Sequence, residues 1–332
     1  MNDVPQRMRV IDVPSPGDPD ALCLVERPTP RPGPGEVLIK VAAAGLNRAD
    51  LLQRRGRYPP PPGTPNWPGL EVAGTVAAVA PDVTEFRVGE TVCALLAGGG
   101  YAEYCVVPPG QVLPLPPGVD LTAAASLPEA YFTVWSNVFD LGRLHAGQVL
   151  LVHGGGSGIG VAAIQLARAR GARVYATAGS DERCRFCESL GAERGINHRR
   201  EDFVAVLRQA GGGADVVLDI VGGDYLPRNL EALAGGGRIV VIATQGGTTA
   251  QLDLLKLMLK RAMVTGTTLR PMPVAFKAAI KAALLREVWP LFGDGRLRPV
   301  VDRVFPLEQA AAAHAYMESG AHRGKIVLQI GG

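Results

Sequence analysis

Apolar and polar positions change their rhythm twice along this chain. Up to about residue 127 the apolar runs are short and lie between Pro and Gly, as in EVLIKVAAAGL, EVAGTVAAVA and YAEYCVV. That pattern predicts β-strands separated by turns. NRADLLQRRG departs from it with a helical spacing, and Asn47 stands where it caps such a helix from the front. From about 128 to 269, Val/Ile/Leu runs alternate with amphipathic stretches: VLLVHG, GIGVAAIQLARARG, RVYATAG, DERCRFCESLG, ADVVLDIVGG, YLPRNLEALAGGG, RIVVIATQGG and MVTGTTL. Strands apolar on both faces, each followed by a helix, predict a doubly wound parallel sheet. Residues 270–332 read as a helix over VAFKAAIKAALLREVWPLF, another over LEQAAAAHAYMES, and a terminal strand KIVLQI. The expected class is α/β: a β-rich domain over 1–127, a doubly wound domain over 128–269, and a return of the first domain over 270–332.

Composition narrows the function classes. The 332 residues fit two domains at roughly 150 residues each. The net charge of +3 is spread over scattered basic residues, which argues against a dedicated nucleic-acid or membrane-surface binder. No apolar run approaches the ~18 residues of a membrane span. MNDVPQRMRV has no signal-peptide core, so a cytoplasmic address is expected. Five cysteines are too few for a disulfide framework in a chain of this length. Cys23, Cys93 and Cys105 fall in strand-like segments and are expected to be buried. Cys184 and Cys187 form a CxxC inside a helical pattern, without the second pair or neighbouring His that a metal site needs.

The strongest motif is the run Gly154-Gly155-Gly156-Ser157-Gly158-Ile159-Gly160, which follows a buried-strand pattern and opens a helix. In that context glycines permit a tight turn and close approach of a pyrophosphate, favoured at a helix N-terminus. The second strand of the βαβ unit ends in Gly179-Ser180, where an NAD site places a carboxylate. With Arg183 close behind, and the basic run beginning at His198 after the next strand, this end suits the extra phosphate of NADP. Asp181 and Glu182, at the start of the following helix, are the opposing signal.

Over essentially its whole length the chain resembles the medium-chain dehydrogenase/reductase superfamily. Within it the resemblance is to the zinc-independent, zeta-crystallin-like quinone oxidoreductases and their tumour-suppressor-inducible subgroup. The matching segments, in order, are GLNRADLLQRRGRYPPPPG, PGLEVAGTV, LPEAYFTVW, HGGGSGIG, LDIVGG and YMES…GKIVLQI. The resemblance implies a GroES-like catalytic domain, a Rossmann domain and a cleft between them. Asn47 stands where zinc-dependent members carry a Cys ligand, and Leu70-Glu71 where they carry His-Glu; the cysteine-rich lobe is missing. No zinc is therefore expected. The resemblance places Asn47, Tyr58 and Thr133 at the reacting groups, with Ile242, Ala243 and Thr244 along the nicotinamide. Asp50, one helical turn past Asn47, is either part of that cleft or structural. Tyr58, in a loop stiffened by prolines, is a candidate proton donor. Departures from the family are Gly154 for a frequent Ala, His198 for a frequent Tyr, and Arg183 for a frequent Lys. The implied reaction is hydride transfer from NADPH to a small-molecule quinone. The alternatives are reduction of activated alkenes (enals or enoyl thioesters) and a non-catalytic NADPH-binding role. A homodimer through the Rossmann domain is expected, since MVTGTTL would leave an open sheet edge.

Overall fold

Strand pairing divides the chain at two points. The computed structural model describes residues 4–331; one unit runs to Phe132 and resumes at Arg270, and the other is Thr133–Leu269. In the first unit, β1 (Arg7–Asp12) and β2 (Cys23–Pro28) form a separate antiparallel pair. Cys23 is exposed there, contrary to the burial expected of it, because β2 pairs with β1 alone and most of its side chains face outward. β3 (Val37–Gly45) is the hub of the larger sheet, and it leads into α1 (Arg48–Arg54). β4 (Glu71–Val79), β5 (Thr91–Leu95), β6 (Tyr104–Val107) and β7 (Val112–Pro114) follow. Two helices come next, α2 (Leu121–Ala124) and α3 (Pro128–Val134), the latter continuing as π-helical turns over Trp135–Leu141.

The second unit is built on six parallel strands. They are β8 (Val149–His153), β9 (Arg173–Ala178), β10 (Arg194–Asn197), β11 (Ala214–Asp219), β12 (Leu233–Val241) and β13 (Met263–Gly266). Between them run α4 (Gly158–Ala169), α5 (Asp181–Ser189), α6 (Phe203–Gln209), α7 (Tyr225–Ala232) and α8 (Leu254–Lys260). The strand order is β10-β9-β8-β11-β12-β13, so the direction of winding reverses between β8 and β11. In sheets of this kind, ligands bind beyond the carboxyl ends of the strands at such a reversal. Leu151, Phe203, Val217, Leu230 and Ile239 are among the side chains closing the core. Burying each contributes about 1.5–3 kcal/mol relative to exposure.

The chain then returns to the first unit through α9 (Val274–Glu287), α10 (Pro290–Gly293), β14 (Val301–Pro306), α11 (Ala310–Ser319) and β15 (Lys325–Gln329). The stretch expected as one helix ends at Glu287 and restarts at Pro290, because a proline cannot donate to the ladder of a continuing helix. Its sheet has the order β14-β15-β3-β4-β5-β7, with β6 also pairing β3. β15 lies antiparallel to β3, Val327 opposite Gly45, which sets Lys325 near the exit of β3.

Candidate functional site

Two groups of polar residues stand out, one in each unit. Asn47 and Tyr58 lie in the first; Thr133 and the glycine-turn residues lie in the second.

Asn47 immediately precedes α1. The front of that helix is closed by Asp50, whose Oδ2 accepts from the Asn47 N–H at 2.8 Å while Oδ1 accepts from Gly69 N–H at 3.0 Å. Asp50 is thus tied to backbone. Burial pushes its carboxyl up to about 6, against the pull of these two N–H groups. The Asn47 side chain is engaged elsewhere: Nδ2 donates to Glu71 Oε1 at 2.9 Å, and Lys325 Nζ donates to Oδ1 at 2.7 Å. Lys325 also pairs with Glu71 Oε1. The second oxygen of Glu71 accepts from Glu129 N–H at 2.9 Å. Burial, helped by the negative charge of Glu71, raises the Glu129 carboxyl to about 8.

Tyr58 is half-buried in its proline loop. The Arg270 guanidinium lies 5.1 Å over its ring, and Arg270 also donates to Tyr58 O at 3.1 Å and to Gln53 Oε1 at 2.7 Å. Burial raises the phenol pKa, Glu129 adds to the rise, and Arg270 opposes it. Tyr58 therefore keeps its proton across the neutral range. Glu129 connects the two residues: its N–H reaches the partner of Asn47 and its carboxyl acts on Tyr58.

In the second unit β8 ends at His153, and the chain turns through Gly154 with φ at +70°. A Cβ at Gly155 would lie 2.7 Å from Ala176 Cβ and from Cys187 Sγ, and one at Gly160 would lie 2.6 Å from Gly155 backbone. Glycine is needed at both for packing. Gly156 differs, because a Cβ there would meet nothing within 4 Å. Ser157 caps α4, its Oγ accepting from Gly160 N–H at 3.0 Å. The amides of Gly156, Gly158 and Ile159 have no protein acceptor among the described residues. They form a set of unused donors at a helix N-terminus beside open space, which suits an anion. His153 is locked beneath the turn by Thr177 Oγ1 at 3.0 Å and Asn229 Oδ1 at 2.7 Å.

At the end of β9, Ser180 caps α5, its Oγ accepting from the Arg183 N–H at 3.3 Å. A Cβ at Gly179 would stand 3.5 Å from His198 Nε2 and 3.8 Å from Arg199 Nη2. The structure thus brings His198 and Arg199, both from the basic run after β10, to Gly179. Asp181 is withdrawn: Asn197 Nδ2 donates to Oδ1 and Arg200 Nη1 to Oδ2, the latter at 2.9 Å. Ile242 follows β12 with its N–H on Asp219 O at 2.8 Å, and Thr244 O accepts from Gly247 N–H at 3.2 Å beside Gly222. The glycine turn, the Gly222 loop and the Ile242–Thr244 loop thus share the carboxyl ends of β8, β11 and β12. Thr133 is 8% exposed, and its carbonyl accepts from Asn137 Nδ2 at 2.8 Å. Cys184 and Cys187 are buried in α5, and no group of three or more metal-ligating side chains occurs among the described residues.

Comparison with known proteins places this geometry. Residues 33–117 match the alcohol dehydrogenase GroES-like domain, and residues 190–328 match a zinc-binding dehydrogenase domain. The chain is 33% identical to a quinone oxidoreductase of Rattus norvegicus and 34% to one of Lama guanicoe, in both cases over 97% of each chain. A mycobacterial protein solved as a complex with NADPH superposes with a TM-score of 0.87 at 29% identity, over 97% of this chain and 99% of that one. The CurK enoyl reductase superposes at 0.83 with 28% identity, over 98% and 100%. The two units are thus a GroES-like domain and a Rossmann domain.

Proposed function

Because the chain belongs to the quinone oxidoreductases of the medium-chain dehydrogenase/reductase superfamily, we propose that it reduces quinones with NADPH as hydride donor. The observation that carries the cofactor assignment is the end of β9. Asp181, one of the two carboxylates that follow Ser180, is held by Asn197 and Arg200, while His198 and Arg199 stand over Gly179. Such an end suits a 2′-phosphate. The unused amides of Gly156, Gly158 and Ile159 suit the pyrophosphate, and the NADPH complex of a 29%-identical protein supports the same reading.

The second family domain is described as zinc-binding, and the residues here do not fit that metal. An amide and a leucine, Asn47 and Leu70, provide no thiolate or imidazole. The Lys325 ammonium already sits against Asn47 Oδ1 and Glu71. We infer that the enzyme works without zinc.

Bound NADPH supplies a hydride. The protein's own residues bind, orient and move protons. Asn47 presents a half-committed amide to a carbonyl oxygen, and Tyr58, kept protonated by burial, donates as negative charge develops on that oxygen. Quinones need little further activation, so alignment and exclusion of water carry most of the remaining work. The likeness to an enoyl reductase favours a second substrate class, activated alkenes, for the same donors. The test is consumption of NADPH and NADH against a panel of quinones, enals and simple aldehydes, with product analysis. Quinone turnover preferring NADPH is expected. Brisk formation of saturated C–C bonds with no quinone turnover would reverse the choice.

A further inference from the structure

Lys325 is 6% exposed, and Glu71 beside it is fully buried. A buried ion pair is weak as a stabilising device, since apolar side chains of similar volume do as well or better. What this pair does achieve is to fix the sense of one amide. With Oδ1 of Asn47 against the Lys325 ammonium and Nδ2 against the Glu71 carboxylate, turning the amide over would set oxygen against oxygen and donor against donor. Backbone geometry supports the same arrangement from three strands. Leu46 N–H bonds Ile326 O at 2.9 Å, bringing the start of β15 to the exit of β3. Ala44 pairs with Val72, placing Glu71 beside Gly45. Gly45 has no Cβ to lose, and one built there would stand 2.3 Å from Glu71 Oε1. The chain gives up a side chain at 45 to make room for the carboxylate.

One Nδ2 proton of Asn47 remains uncommitted, on a residue that is only half-buried. We propose that Lys325 is a positioning residue for the reduction: together with Glu71 it locks the Asn47 amide so that its free Nδ2–H faces the substrate's carbonyl oxygen. This rests on the reading that Asn47 meets that oxygen.

The experiment compares the wild type with Asn47→Ala, with a Lys325→Met/Glu71→Gln double variant that leaves no unpaired buried charge, and with the combined triple variant. Quinone kcat, NADPH affinity and thermal midpoint are measured for each. The double variant is expected to fold, to bind NADPH within about twofold of the wild type, and to lose about tenfold to a hundredfold in kcat. Asn47→Ala is expected to lose a similar factor, and the triple variant no more than the worse of its components. Losses that multiply, or a double variant with wild-type kcat, would overturn the proposal. A signal that does not depend on turnover is the Asn47 side-chain amide in selectively labelled protein. Nδ2 protons shifted away from those of a free side-chain amide and slow to exchange with water, which in the double variant move to the free-amide shifts and exchange rapidly, support the lock; an unchanged signal overturns it. If the wild type turns over no quinone, the substrate assignment fails, while the amide signal still decides the lock.

Discussion

A phenol that is to give up a proton must first hold one, and Tyr58 does so because burial and Glu129 outweigh the Arg270 guanidinium above its ring. Replacing it with Phe is expected to lower quinone kcat about tenfold to a hundredfold with NADPH affinity unchanged, since in the proposed role the hydroxyl is used only as charge develops. Steady-state kinetics beside direct cofactor titration checks this, and equal losses in both would place Tyr58 in cofactor binding instead. The basic residues at the end of β9 make a second prediction. Arg199→Ala is expected to weaken NADPH by about 1.5–3 kcal/mol, as for a charge-assisted hydrogen bond, and to leave NADH nearly unchanged. Arg183→Ala carries the same expectation from the sequence, and the two variants side by side show which guanidinium meets the phosphate. Little of this was legible residue by residue. Arg183 stood out by its position after the strand, whereas Arg199 needed the turn after β10 to bring it to within 3.8 Å of a Cβ at Gly179. Lys325 lies 278 residues from Asn47, and no local pattern reports a contact of that kind.

Within single elements the glycine turn separates packing from binding. Gly155→Ala forces a methyl onto Ala176 and Cys187, and is expected to cost about 1–3 kcal/mol of stability along with NADPH binding. Gly156→Ala meets only open space in the protein, so its thermal midpoint is expected to stay near the wild-type value while NADPH affinity falls. A normal affinity in Gly156→Ala would mean that no phosphate approaches that face. The turn was readable in advance because a buried strand and a helical period flank it. Other boundaries were less so. β12 begins at Leu233, inside a Gly-rich stretch that reads as the tail of a helix, because Leu233 pairs with Ala214 of β11 ahead of the regular pairing that starts at Arg238. The pairing of β1 with β2 was not anticipated: β2 faces solvent with most of its side chains, and β1 buries Met8, Val10 and Ile11 but intersperses them with polar residues, so neither shows an apolar run.

At the scale of the whole molecule, β13 closes one end of the Rossmann sheet with a free edge. Before it, α8 carries Leu254, Leu255, Met258 and Leu259 at 63–76% exposure, an apolar face of the kind that a second copy covers. A dimer mass by light scattering at micromolar concentration is the expected result, with Met258→Asp/Leu259→Asp shifting it to the monomer; a monomeric wild type would refute the pairing. The burial of the cysteines carries a different consequence. Quinones are alkylating agents for thiolates, and an enzyme that handles them is exposed to inactivation by its own substrate. Four of the five thiols here are sealed in cores and strands, and burial holds Cys105 and Cys187 up to about 12 and raises Cys93 and Cys184 as well. Intact-mass and peptide mapping after exposure to a small benzoquinone is expected to find one adduct, on the exposed Cys23, with turnover preserved. Chemical endurance would then be a property of the fold, obtained by keeping its nucleophiles protonated and out of reach.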